Sequence, residues 1–262
     1  MLQLLALTAL LGTGGERAAV HAPDAPRRPA HRAVMARIPS GSYRPLYAIA
    51  GGAPTRVAAF SLDREPVTRG DYLAFVRANP AWRRATVRRE LAGRGYLANW
   101  RGDLDAGNAL DLTRPVTAVS RFAANAYCES LGKRLPTVNE WEYAAAASET
   151  RADATADPRF VSRLLDLYAR RPGGDSLPAA GSGFRNVYGV RDLHGGAWEW
   201  TAESREHATV HPGSHEHLPS CASAAVGATD QTNYPAFLRH AFRAALQSQS
   251  TVPTLGFRCA AG

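Results

Sequence analysis

Gly132-Lys133-Arg134-Leu135-Pro136-Thr137-Val138-Asn139-Glu140-Trp141-Glu142-Tyr143 is the stretch on which the reading of this chain turns. Gly132 is placed to end one helix, because glycine accepts the left-handed conformation that closes a helical C-terminus. Thr137 starts the next. Thr137-Val138-Asn139-Glu140 is a capping box, in which the hydroxyl and the carboxylate each satisfy an orphan backbone N–H. Glu140 is therefore read as structural and not catalytic. Working back, Ser120 caps the preceding helix, and Phe122, Ala123, Ala126, Tyr127 and Leu131 make its apolar face.

Further upstream, 33–38 and 55–62 read as short strands between Gly and Pro punctuation, and Thr68 caps a helix through Val76 that Pro80 closes. Downstream, 160–168 reads as helix. Tyr234 to Leu246 has a helical apolar rhythm in Phe237, Leu238, Ala241, Phe242 and Leu246, with Arg239 and Arg243 on one face. Those two arginines are candidates to pair with carboxylates or to bind an anionic substrate. No internal repeat and no βαβ alternation is present, so periodicity gives an α+β chain rich in irregular structure.

The 262 residues carry a formal charge of +8, from 31 basic and 23 acidic side chains. Lys133 is the one lysine, and the arginines are spread thinly, so nucleic-acid binding is set aside: that function needs the cations clustered against phosphates. Leu2 to Leu11 has the length of a signal-peptide apolar region, and Pro23 to Arg32 is a Pro- and Arg-rich tract. The expected organisation is a signal peptide at 1–22, a flexible leader at 23–32 and one domain at 33–262. That makes the protein exported, periplasmic or secreted. No stretch is long enough to span a bilayer. Three cysteines, Cys128, Cys221 and Cys259, fit an exported chain with one disulfide and one remaining thiol, or three buried thiols.

Three segments together carry a resemblance. They are the stretch from Gly132 to Tyr143, the pair Asn186-Val187-Tyr188-Gly189 and Gly195-Gly196-Ala197-Trp198-Glu199-Trp200-Thr201, and the closing Gly256-Phe257-Arg258-Cys259-Ala260. The chain resembles the sulfatase-modifying factor family, whose best-known activity is formylglycine generation. The resemblance implies an α+β fold related to C-type lectins over about 33–262, and a disulfide between Cys128 and Cys259. It also implies calcium at Glu199, with backbone oxygens of His194, Gly195 and Ala197. The alternative reading of that segment is two tryptophan core anchors and a glutamate paired with an arginine. Formylglycine generators bind copper through a cysteine pair, and the resemblance puts Tyr234 and Arg239 at those two positions. Neither supplies a thiolate, so that copper chemistry does not carry over.

A separate cluster holds His207, His211, His215, His217 and Cys221. Imidazole and thiolate suit copper, zinc or iron, although the spacing matches no established zinc pattern and a solvated polar loop reads equally well. Cys221 is a candidate redox-active thiol or soft ligand, or else a small buried hydrophobe. Two functions follow from the sequence. One is a metal-assisted oxidoreductase acting on a peptide or small substrate, which is not a standard formylglycine generator. The other is a binding or accessory module on the same scaffold, recognising an exported protein or a ligand.

Overall fold

The computed structural model describes residues 34–45, 53–203 and 234–262. The expected signal peptide and leader therefore lie outside the described residues, as do the loop histidines and Cys221. Among the described residues no helix is long and apolar enough to cross a membrane.

Four short strands open the described chain: β1 (Met35–Ile38), β2 (Gly41–Tyr43), β3 (Thr55–Val57) and β4 (Phe60–Asp63). The run 55–62, read as one strand, divides because its halves take different partners. Thr55–Val57 pairs with β2, and Phe60–Asp63 pairs with β1. Helix α1 (Arg69–Ala78) follows, with a capping box between Thr68 and Asp71. Then come a single turn α2 (Ala109–Leu112) and helix α3 (Arg121–Ser130), capped by Ser120. Helix α4 (Val138–Ala145) starts where the sequence placed it. The Thr137 hydroxyl accepts from the Glu140 amide at 3.1 Å, and the Glu140 carboxylate accepts from the Thr137 amide at 2.8 Å. Arg134 forks onto the same carboxylate at 2.7 and 2.6 Å, which confirms Glu140 in its structural role.

Helix α5 (Pro158–Ala169), strand β5 (Trp198–Glu199), helix α6 (Tyr234–Ala244) and strands β6 (Leu255–Gly256) and β7 (Ala260–Ala261) complete the description. The segment from Leu255 to Ala261 ties three regions together. β6 lies parallel to β5, β7 adds antiparallel to β4 in a β1-β4-β7 sheet, and Arg134 bridges to Ala260. Between those strands Cys259 is bonded to Cys128 of α3, the pairing the family resemblance implied. Gly256 has to be glycine, because a Cβ there would stand 2.3 Å from the Val116 carbonyl oxygen.

Two larger apolar cores take residues from this segment, beside a small third cluster of Ala154, Phe160 and Leu164. In one, Tyr72, Phe75, Tyr127 and Phe257 pack ring against ring with centroids 5.3–6.1 Å apart. In the other, Ile38, Leu62, Trp141 and Val190 close the sheet against α4.

Candidate functional site

A cleft of about 470 Å³ opens between α4, α5 and α6, with Tyr43, Arg44 and Pro45 at its rim. Its apolar wall is made by Ala145 and Ala146 at the end of α4, Phe160, Val161 and Leu164 from α5, and Pro235 from α6. α5 presents this wall because Asp157 caps it and Pro158 occupies its first position, which sets the helix direction. A concave apolar site with a few placed polar groups is the usual form of a ligand pocket.

Two of its polar groups, Arg239 and Arg243, converge on Glu142. Arg239 forks onto it, with Nε 2.9 Å from Oε1 and Nη2 2.6 Å from Oε2, and Arg243 Nη1 donates to Oε1 at 2.5 Å. Both guanidiniums lie over the Trp141 ring, at 5.6 and 4.9 Å from its centroid. Burial raises the Glu142 carboxyl, but the charges of Arg239 and Arg243 outweigh it and hold the group at about 2. The cleft therefore has a permanently ionised floor at neutral pH.

From Arg239 a chain of hydrogen bonds runs inward. Arg239 Nη1 donates to the Tyr168 hydroxyl at 3.1 Å, that hydroxyl lies 3.3 Å from His194 Nδ1, and His194 Nε2 lies 2.9 Å from the Ala145 carbonyl oxygen. A carbonyl only accepts, so Nε2 carries the proton, Nδ1 accepts, and Tyr168 donates to it. Burial first and then the Arg239 charge push His194 down to about 3. His194 is thus a neutral imidazole held by two partners. On the cleft wall, burial and then Arg243 lower His240 as well.

Arg239 and Arg243 both line the cleft, and of the two roles the sequence offered they take the pairing with a carboxylate, that of Glu142. The apolar rhythm of 234–246 sets the inward face only in part: Phe242 stacks on Trp198 and Leu246 is buried, but the buried residues within α6 are Pro235 and Arg239, and Ala241 is exposed. The reason is electrostatic. A buried carboxylate on α4 draws in the guanidinium that neutralises it, and the aliphatic stem of the arginine packs on the way.

Glu199 departs from the calcium expectation. Its Oε2 accepts from Trp141 Nε1 and from Arg258 Nε, both at 2.8 Å, and its Oε1 accepts from Arg258 Nη2 at 2.7 Å. Arg258 is fully buried and also donates to the carbonyls of Asp63, Arg64 and Arg191. Nearby, the Gly196 carbonyl accepts from Arg171 Nη1 at 2.9 Å. This donor set is that of a buried ion pair, the alternative reading of the Gly195–Thr201 segment, and it does not fit a cage of six to eight oxygens around calcium. Of the expected backbone ligands, Gly195 adopts φ +79, His194 holds the imidazole described above, and Ala197 is buried against Gly256. Among the described residues no three His, Cys, Asp or Glu side chains converge as a metal site. Copper also finds no ligands at Tyr234 and Arg239, the first exposed and the second ion-paired.

Glu142, Tyr168 and Arg171 were not picked out from the sequence. Glu142 had one available signal, a carboxylate between two aromatics on a helix whose other glutamate is already accounted for by the cap.

A family model described as sulfatase-modifying factor enzyme 1-like matches residues 21–262. The chain is 30% identical over 247 residues to the mouse (Mus musculus) protein named inactive C-alpha-formylglycine-generating enzyme 2, covering 80% of this chain and 78% of that one. To the formylglycine-generating enzyme of Streptomyces coelicolor it is 27% identical, over 93% of this chain and 94% of the other. To the hercynine oxygenase of Mycobacterium tuberculosis it is 31% identical over 160 residues, spanning 55% of this chain and 38% of that protein. Among solved structures, PvdO from Pseudomonas aeruginosa superposes with a TM-score of 0.47 at 19% identity, over 87% of this chain and 93% of that one. On the match over 21–262 and the likeness to the mouse protein, this chain belongs to the sulfatase-modifying factor enzyme 1-like family.

Proposed function

We propose that this protein is an exported member of the family that binds a peptide or a small organic ligand in the cleft between α4, α5 and α6, without generating formylglycine. The observation that carries the reading is Arg239. It stands at one of the two positions where the family resemblance puts the copper-binding cysteines, and it is fixed by Glu142 on one side and Tyr168 on the other. A guanidinium cannot bind copper, and this one is built into the cleft beside its apolar wall. The relatives named inactive formylglycine-generating enzyme 2 support the same reading.

A second reading, a metal-assisted oxidoreductase, is favoured by the likeness to proteins named hercynine oxygenase. Its donors are His207, His211, His215, His217 and Cys221, with copper, iron or zinc as the metal.

Two measurements separate these readings from each other and from formylglycine generation. Incubation with copper, oxygen and a sulfatase-type cysteine peptide is expected to yield no aldehyde by mass spectrometry, and aldehyde would overturn the proposal. Metal analysis of protein purified from the exported fraction is expected to find no stoichiometric transition metal. Near-stoichiometric copper, iron or zinc that is lost on replacing the four loop histidines would instead establish the oxidoreductase reading.

A further inference from the structure

A ligand entering the cleft displaces water from the groups that line it, and each polar group then needs a partner in the ligand or loses its hydration without return. The carboxylate acceptors there are largely taken. Glu142 Oε1 accepts from Arg239 Nε and Arg243 Nη1, and its Oε2 accepts from Arg239 Nη2. Asp153 Oδ1 accepts from the amide and the hydroxyl of Thr155, at 2.9 and 2.6 Å.

The donors are not taken. Arg243 lines the cleft with its side chain 18% exposed, and of its guanidinium N–H groups only that on Nη1 is bonded among the described residues. His240 lies one helical turn before it on the same side of α6. It lines the cleft half-buried and makes no hydrogen bond among the described residues. Burial and then the Arg243 charge lower it, so at neutral pH the imidazole is uncharged and has one N–H to give. Charge points the same way, since three guanidiniums line the cleft, those of Arg44, Arg239 and Arg243, against the two carboxylates of Glu142 and Asp153. The apolar surface comes from another element, Phe160, Val161 and Leu164 of α5.

We propose that the cleft selects carboxylates that carry an apolar body, with the carboxylate between Arg243 and His240 and the hydrocarbon or aromatic part against Phe160, Val161 and Leu164. A guanidinium presents its N–H groups in a plane that matches the two oxygens of a carboxylate. An amide of the same shape turns N–H groups towards a guanidinium that has only N–H groups itself. Two sources share this chemistry: a free aliphatic or aromatic acid, and the C-terminus of a peptide that ends in apolar residues. The proposal rests on the reading of the cleft as a ligand site and narrows it to one chemical class.

The test is calorimetric titration of the protein with two matched pairs. One is 4-phenylbutyrate and 4-phenylbutyramide, and the other is acetyl-leucyl-phenylalanine with a free C-terminus or a terminal amide. In at least one pair the acid is expected to bind about 10- to 100-fold more tightly than its amide, the ratio a charge-assisted hydrogen bond gives over an uncharged contact. The pair that shows it identifies the source. In Arg243→Gln, where Arg239 still holds Glu142, the acid is expected to bind no more tightly than the amide. If that variant does not fold, His240→Leu replaces a side chain with no hydrogen bond to lose, and the ratio is expected to fall several-fold. Equal binding of acid and amide by the wild type keeps the cleft as a ligand site and overturns the carboxylate assignment. A preference unchanged by the substitution overturns it as well. Absence of binding by all four compounds overturns the assignment and counts against the cleft reading with it.

Discussion

Arginine and glutamate are normally surface residues, and here they are used inside. Arg258 with Glu199, Arg239 with Glu142, and Lys133 with Asp63 at 2.5 Å are all buried or nearly so. Such pairs add little net stability over an apolar pair of the same shape, but removing one partner is expensive. His194 belongs to the same economy of buried polar groups, and it makes the fold sensitive to acid. Its folded value of about 3 lies below the ordinary 6.5, so the unfolded chain takes up the proton first. Its stabilisation is therefore complete above about pH 6.5 and is lost as pH falls from there towards 3, at about 1.4 kcal/mol per pH unit. Between pH 6.5 and 5 the Glu142 carboxylate is ionised in the folded state and mostly ionised in the unfolded one, so its share of the slope is small beside that of His194. We expect urea unfolding over that window to show this loss in the wild type and a markedly shallower loss in His194→Gln.

At the scale of elements, the helices were legible and the strands were not fully so. Thr68, Ser120 and Thr137 announce α1, α3 and α4 because a cap is a local device, with donor and acceptor within three residues. The division of 55–62 depends on which strands β3 and β4 meet, and that is decided by chain segments far away. The same limit applies to the site. The cleft arginines were visible as one face of α6, but their partner Glu142 lies 97 and 101 residues earlier, and no local pattern could have joined them. The glutamate of the Trp-Glu-Trp segment was legible as a functional-looking residue and turned out to be a counter-charge, because its arginine is 59 residues away. The disulfide joins α3 to the segment between β6 and β7 across 131 residues. Closing a loop of that length contributes about 4 to 5 kcal/mol in the chain-entropy model. The Cys128→Ala, Cys259→Ala protein is expected to lose a large part of that in denaturant titration, and the wild type in reductant should match it.

At the scale of the whole molecule, the charged pairs replace what a metal could supply. The turn containing Gly195 to Glu199 is held by Arg258, Arg171 and Trp141, three side chains from three distant parts of the chain, and each of them donates. Chelation is therefore expected to leave the unfolding temperature unchanged, and this is checked by calorimetry with and without EDTA. A drop on chelation that calcium restores would show that carbonyls in this turn do hold the ion.

The segment from Leu255 to Ala261 follows in sequence everything it joins. During vectorial synthesis the edge of β4 that receives β7 stays open, α3 keeps a reduced cysteine, and Glu199 is inside the chain without its arginine, until that segment emerges. A chain with such non-local closure folds slowly and late, because the ordering entropy of nearly the whole domain precedes the contacts that reward it. Nascent chains stalled before residue 255 should therefore resemble an unpaired sheet edge and be prone to association, while the same chains extended past Ala261 should be protected.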